Sequence, residues 1–91
     1  LERLEEASVR VVKRDQTREP LDREKIRRGI ERACSKRPIS SQQIETLVQR
    51  IETEIYSSYD LEVPTTRIGE IVMTHLARTD EVAYIRFASV Y

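Results

Sequence analysis

The sequence predicts a mainly α domain of the α+β class, four helices with a small N-terminal β-hairpin over one end, and three observations predict it. Apolar residues recur at helical spacing in several separate runs, each opened by a capping residue. Period-two alternation is confined to the start, where Val9 and Val11 fall on one face and Val12 on the other. The chain has 91 residues, 38% of them hydrophobic, enough for one modest core and not for two.

The elements follow in order. Leu1 to Ala7 reads as a charged linker remnant, and the domain is expected from residue 8 to 91. Ser8 to Arg14 is the first strand, Asp15-Gln16 the turn, and Arg18 to Pro20 a brief return strand whose pairing Pro20 limits. Asp22 caps a helix from about Arg23 to Ser35, with Ile26, Ile30, Ala33 and Cys34 as its inward stripe and Gly29 allowing a neighbour to approach. Lys36-Arg37-Pro38 stops it. Ser40 with Gln43 forms a capping box, Ile39 can staple to Ile44, and the second helix carries Ile44, Leu47, Val48, Ile51 and Ile55 before ending near Ser57 to Asp60. Val63-Pro64-Thr65-Thr66 is an extended entry, and either threonine can cap a third helix bearing Ile68, Ile71, Val72 and Leu76. Asp80 caps the fourth, Glu81 to Tyr91, whose apolar residues surround its circumference, so a central position is expected. Arg86 on such a helix should face an internal carboxylate or an anionic ligand.

Composition excludes several functions. One cysteine and one histidine cannot assemble a four-ligand zinc site or an internal disulfide. Cys34 is read as an inert core thiol and His75 as a surface or half-buried structural residue. Both glycines, Gly29 and Gly69, lie inside expected helices, so neither a P-loop nor a dinucleotide-binding turn is present. No residue set suggests catalysis, and the expectation is a non-enzyme. With 35% charged residues and a mean hydropathy of -0.57, no run spans a bilayer. No signal peptide is visible either, which makes a cytoplasmic location the default.

The net charge of zero conceals an asymmetry. Arg10 to Arg37 holds 11 Lys or Arg against 5 Asp or Glu, and the remaining residues hold 5 against 11. Such a split suits either an anion-binding half or two halves that neutralise each other. Within the basic half, a hairpin running into a helix can gather Lys13, Arg14 and Lys25 around Glu19. Cations beside a carboxylate can hold a polyphosphate while hydrogen-bonding a base or sugar. Without a glycine cradle, phosphate must be held by side-chain cations and by the N–H groups of a helix N-terminus, here Asp22 to Lys25. Glu19 suits a sugar hydroxyl or exocyclic amine better than phosphate. Taken alone, the residues leave open nucleotide binding, contact with a nucleic-acid backbone, and a structural charge network.

The motifs resemble a known family. Val11-x-Lys13-Arg14-Asp15, then Glu19-Pro20-Leu21-Asp22 and Lys25-Ile26, resemble the opening of the ATP-cone, the adenine-nucleotide regulatory module attached to many ribonucleotide reductases. Arg37-Pro38-Ile39-Ser40, Val63-Pro64-Thr65-Thr66-Arg67-Ile68-Gly69 and above all Asp80-Glu81-Val82-Ala83-Tyr84-Ile85-Arg86-Phe87-Ala88-Ser89-Val90-Tyr91 resemble the cone of the NrdR family, bacterial transcriptional repressors of ribonucleotide reductase genes. One departure is Gln16, where the family usually has glycine. The resemblance implies ATP and dATP as effectors, with Val11, Lys13, Arg14, Glu19, Lys25, Thr65 and Tyr91 at the nucleotide site. It also implies a homo-oligomer whose state the nucleotides control, and DNA contacted through a zinc ribbon expected upstream of Leu1, with no membrane partner. Magnesium would travel with the triphosphate, for no dedicated protein ligands are seen. The alternatives are the allosteric cone of a reductase subunit and a basic helical nucleic-acid-binding module.

Overall fold

The computed structural model describes residues 9–90. The expected linker Leu1 to Ala7, the strand start at Ser8 and the site residue Tyr91 lie outside the described residues. The chain runs β1 (Arg10–Val12), β2 (Arg18–Pro20), α1 (Arg23–Ala33), α2 (Ser41–Ser58), β3 (Glu62–Pro64), α3 (Thr65–Ala77) and α4 (Glu81–Val90). The four helices form a ring in which α1 and α3 each touch both α2 and α4.

The hairpin expected at the N-terminus becomes a three-stranded sheet of order β2-β1-β3. β1 pairs antiparallel with β2, and β3 adds in parallel on its other side, Val11 beside Val63. The extended entry around Val63 is therefore a strand. Its buried valine faces the helices together with Val9 and Val11. Strands this short are not stable alone, so the sheet depends on the helices beneath it.

Local capping chemistry sets most helix starts. The Asp22 side chain accepts from the Glu24 N–H at 2.9 Å. Ser40 Oγ accepts from the Gln43 N–H at 3.1 Å while Gln43 Oε1 accepts from the Ser40 N–H at 2.8 Å, completing the capping box. Asp80 Oδ2 accepts from the Ala83 N–H at 3.0 Å. The third helix departs from expectation: neither threonine caps it. β3 passes straight into α3, which puts Pro64 at the cap with no side-chain hydrogen bond and makes Thr65 the first helical residue.

The longest buried stripe belongs to α2, whose Ile44, Leu47, Val48, Ile51 and Ile55 are all buried. The expectation that α4 is central is incorrect. Only Ala83 and Phe87 of α4 are buried, and Ile85 and Val90 are 55% and 81% exposed. Ala83 and Phe87, four residues apart, form the one side of α4 that meets its neighbours, and Ile85 and Val90 are left outside. Nor does Arg86 form an ion pair with a carboxylate among the described residues. Its Nη1 donates to the Ala33 and Ser35 carbonyls at 3.2 and 2.6 Å, where the unsatisfied C-terminal carbonyls of α1 attract a cation. Cys34 is buried, and burial pushes its thiol pKa up, which keeps it an inert core residue. His75 is half-buried and its Nε2 is 2.9 Å from Glu54 Oε1.

Two features of this scaffold are testable. The β1–β2 turn closes through Lys13 N–H to Thr17 O at 2.8 Å and Gln16 N–H to Lys13 O at 2.9 Å, which forces Gln16 to φ 73°. A non-glycine residue there costs about 1–2 kcal/mol, partly offset by the extra chain entropy glycine loses. Gln16→Gly is expected to stabilise by about 0.5–1 kcal/mol, a rise of about 2–8 °C in Tm by thermal melt; an unchanged or lower Tm would contradict the strain. The second feature is Asp80, which takes a two-point bond from Arg37, Nε to Oδ2 and Nη2 to Oδ1, both at 3.0 Å. That bond, and then the Ala83 N–H, hold its carboxyl below the ordinary 3.8. The folded state thus binds its proton less readily than the unfolded state does. The stabilisation is present above 3.8 and is lost as pH falls through the lowered folded value. Melts between pH 7 and pH 2.5 should show Asp80→Asn less stable at neutral pH and with a shallower acid decline than the parent.

Candidate functional site

The sheet register builds the site. Val11 and Glu19 are directly opposed on β1 and β2, so their side chains share a face, and it is the face turned to the helices. Glu19 therefore stands at the border of the core with a side chain only 31% exposed. Two ammonium groups answer it: Lys25 Nζ from the first turns of α1 lies 3.2 Å from Oε2, and Lys13 Nζ from the end of the hairpin lies 3.9 Å from Oε1. Arg14 joins no ion pair among the described residues.

Around Glu19 the surface is hollowed on two sides. Inward is a narrow slot of about 90 Å³ lined by Val11, Leu21, Ile26, Ile68, Val72 and Phe87, with Asp22, Lys25, Gly29 and Thr65 at its margins. Outward is an open hollow of about 490 Å³ lined by Lys13, Arg14, Asp15, Thr65, Thr66 and Val90. Glu19 and Thr65 line both, so an apolar slot and a basic mouth adjoin there, and together they make up the cleft. The slot alone is below the range of about 300–1,000 Å³ usual for small-molecule pockets, whereas the mouth is within it.

Of the residues expected at the site, Val11, Lys13, Arg14, Glu19, Lys25 and Thr65 all line this cleft. Tyr91 lies outside the described residues. One expectation needs correcting. Beyond that of Arg23, the N–H groups at the start of α1 are already engaged: Asp22 Oδ1 takes that of Glu24, and the Asp22 carbonyl takes those of Lys25 and Ile26 at 3.1 and 3.4 Å. The helix end at the basic mouth is that of α3, which carries no side-chain cap and presents Thr65 and Thr66 beside Lys13 and Arg14. Ile26, expected on the inward stripe of α1, also lines the slot, as do Ile68 and the buried Phe87.

No cluster of three or more metal-binding side chains occurs among the described residues, and none of their helices is long and apolar enough to cross a membrane.

Gly29 opens the slot without being required by it. A Cβ built there meets Phe87 Cε1 at 3.5 Å, an ordinary van der Waals contact. Gly29→Ala is expected to stabilise α1 by about 0.5–1 kcal/mol through helix propensity, read as a higher denaturation midpoint at unchanged m. A lower midpoint would mean that Phe87 cannot accommodate the methyl group.

Comparison with known proteins places this geometry in context. The sequence model of the ATP cone domain matches residues 9–91. A protein of Rhodopirellula baltica named transcriptional repressor NrdR is 64% identical over 91 residues, covering 100% of this chain and 58% of that protein. Proteins of the same name from Listeria welshimeri and Chloroflexus aurantiacus are 53% and 54% identical over 90 residues, covering 99% of this chain and 58% and 54% of their own lengths. The chain thus spans little more than half the length of these relatives.

Proposed function

The chain belongs to the ATP cone domain family, and from that premise we propose that it is the adenine-nucleotide-sensing domain of a transcriptional repressor of ribonucleotide reductase genes. The observation that carries the reading is the paired ammonium groups of Lys13 and Lys25 on Glu19, 3.9 and 3.2 Å away, at the junction of an apolar slot and a basic mouth. A triphosphate suits the mouth, where Lys13 and Arg14 supply charge and the uncapped start of α3 supplies backbone N–H groups. The nucleoside suits the inner side, with Val11 against it and Glu19 accepting from a sugar hydroxyl or the exocyclic amine. Thr65 borders both parts, and Tyr91 at the chain's last position is the further candidate. Magnesium would arrive on the phosphates.

ATP and dATP are the proposed effectors, and the role is regulation rather than catalysis. The two differ by one hydroxyl, worth roughly 1–3 kcal/mol where a buried partner is left unsatisfied. If different assembly states bind them with different affinity, their ratio shifts the homo-oligomer. Operator contact then follows from a zinc ribbon outside these 91 residues, whose single cysteine cannot supply one. The name shared by the relatives favours this repressor over a reductase subunit's cone.

Calorimetric titration tests the reading. ATP and dATP should bind and GTP should bind at least about tenfold more weakly, a difference of about 1.4 kcal/mol. Lys13→Ala and Lys25→Ala should each lower ATP affinity about tenfold or more with an unchanged circular dichroism spectrum. Equal binding of adenine and guanine triphosphates, or full affinity in both variants, would reject it.

A further inference from the structure

The basic half of the chain contains more cations than the cleft uses, and the fold sorts them. Arg23 and Arg27 point toward α2, where Arg23 bonds Glu45 and Glu52, the latter at 3.0 Å, and Arg27 bonds Glu45 and Glu31, the latter at 3.1 Å. Arg18 is held on Glu62 at 2.9 Å and Arg37 on Asp80 at 3.0 Å. Arg28, Arg32 and Lys36 have no side-chain hydrogen bond or ion pair among the described residues, and all three are exposed.

These cations form a row. Lys25, Arg28 and Arg32 stand at helix positions i, i+3 and i+7, one face of α1 over a rise of about 10 Å. Lys36 follows on the turn beyond α1 at φ 62°. Arg86 reaches the same end from α4, its guanidinium fixed on the Ala33 and Ser35 carbonyls. Between α1 and α4 runs a hollow of about 340 Å³ with Lys25, Arg32 and Arg86 on its rim and Gly29, Ala33, Phe87 and Val90 below. The acidic residues of α1 are Glu24 and Glu31, and Glu31 is engaged with Arg27. Lys25 is shared with Glu19 at 3.2 Å, but Arg28, Arg32 and Lys36 have no carboxylate partner among the described residues, and such a face is the electrostatic complement of a regularly charged polyanion.

We propose that this face of α1, with Lys36 and Arg86 at its end, binds the phosphate backbone of duplex DNA. It would be a second, sequence-independent contact beyond that of a zinc ribbon. The proposal rests on the repressor reading for its choice of polyanion and on the unpaired cations for its location. No base-reading residue is assigned, so affinity should not depend on sequence.

The test uses the 91-residue chain and a fluorescein-labelled 30-base-pair duplex, with anisotropy read across a salt series. The parent should bind with a log–log salt slope of about -3 to -4, as expected for three or four neutralised phosphates. R28E/R32E/K36E should weaken binding at least tenfold and flatten the slope by about 3. R50E/R78E, which alters the groove between α2 and α3, should bind as the parent does. R28Q/R32Q, without charge reversal, should give an intermediate loss and guards against misfolding of the triple variant. Parent-like affinity and slope in R28E/R32E/K36E, or no salt-dependent binding by the parent, overturns the proposal. Calorimetry with ATP separates it from the cleft reading: the triple variant should retain ATP affinity. If it instead loses ATP affinity while keeping DNA affinity, the row holds free triphosphate and the proposal is wrong. Failure of the parent to bind ATP would reject the cleft reading while leaving the DNA result to stand on its own.

Discussion

Three residues of backbone pairing, Arg10 to Val12 beside Glu62 to Pro64, are the constraint on which the rest of the arrangement depends. They join a hairpin at one end of the sequence to the start of a helix about fifty residues later, and so set Lys13 and Arg14 against Thr65 and Thr66. The pairing is held by packing more than by its few hydrogen bonds, with Val9, Val11 and Val63 all buried against the helices. Because side chains alternate along a strand, the same register that buries Val11 turns Glu19 toward the helical layer. A slip of one residue would put a carboxylate where a valine belongs and would dismantle core and cleft together.

The arginines show how a chain with no net charge keeps a strongly polarised surface. Exposed ion pairs contribute little to stability, so their effect here is chiefly orientation. The Arg37–Asp80 fork ties the α1–α2 connection to the start of α4, and Arg86 ties α4 back to the end of α1. Arg23 and Arg27 connect α1 to α2 through Glu45, and Glu45 is accordingly held more acidic than an ordinary glutamate, first by Arg23. With these partners taken, the surplus positive charge is left on the other side of α1 and at the mouth of the cleft.

What was legible in the sequence is what is local. Asp22, Ser40 and Asp80 announce their helices through contacts two or three residues away, and the structure makes each of those bonds. Of the three cations expected around Glu19, Lys13 and Lys25 converge on it, because a short hairpin leading into a helix leaves few other places for those side chains, whereas Arg14 makes no ion pair among the described residues. The third strand was not legible, since parallel pairing across some fifty residues leaves no signature in Glu62-Val63-Pro64 itself. The status of α4 was misjudged for a related reason. A run of apolar residues shows that a helix can be buried, not how many sides its neighbours cover, and here α1 and α3 cover only the side of α4 that bears Ala83 and Phe87. The helix end suited to an anion was likewise not visible. Asp22 looks like an invitation to phosphate, but its side chain and carbonyl already occupy the N–H groups behind it.

Glu19 gives the cleft a property that cations alone would not have. On the nucleotide reading, Lys13 and Lys25 are not idle before a ligand arrives, for the carboxylate keeps both ammonium groups gathered at the mouth. Holding long side chains in place beforehand removes part of the ordering entropy that binding must otherwise supply. The cost is competition, because an incoming phosphate must share the lysines with Glu19. That competition makes binding sensitive to how well the remainder of the ligand satisfies the carboxylate. A ligand offering a hydroxyl or amine to Glu19 replaces what the carboxylate gives up when the lysines turn to phosphate, whereas one lacking it leaves this half-buried acceptor with less. A small chemical difference remote from the phosphates thereby becomes a difference in affinity, and a difference in affinity between conformational states is the quantity a regulatory domain must convert into assembly.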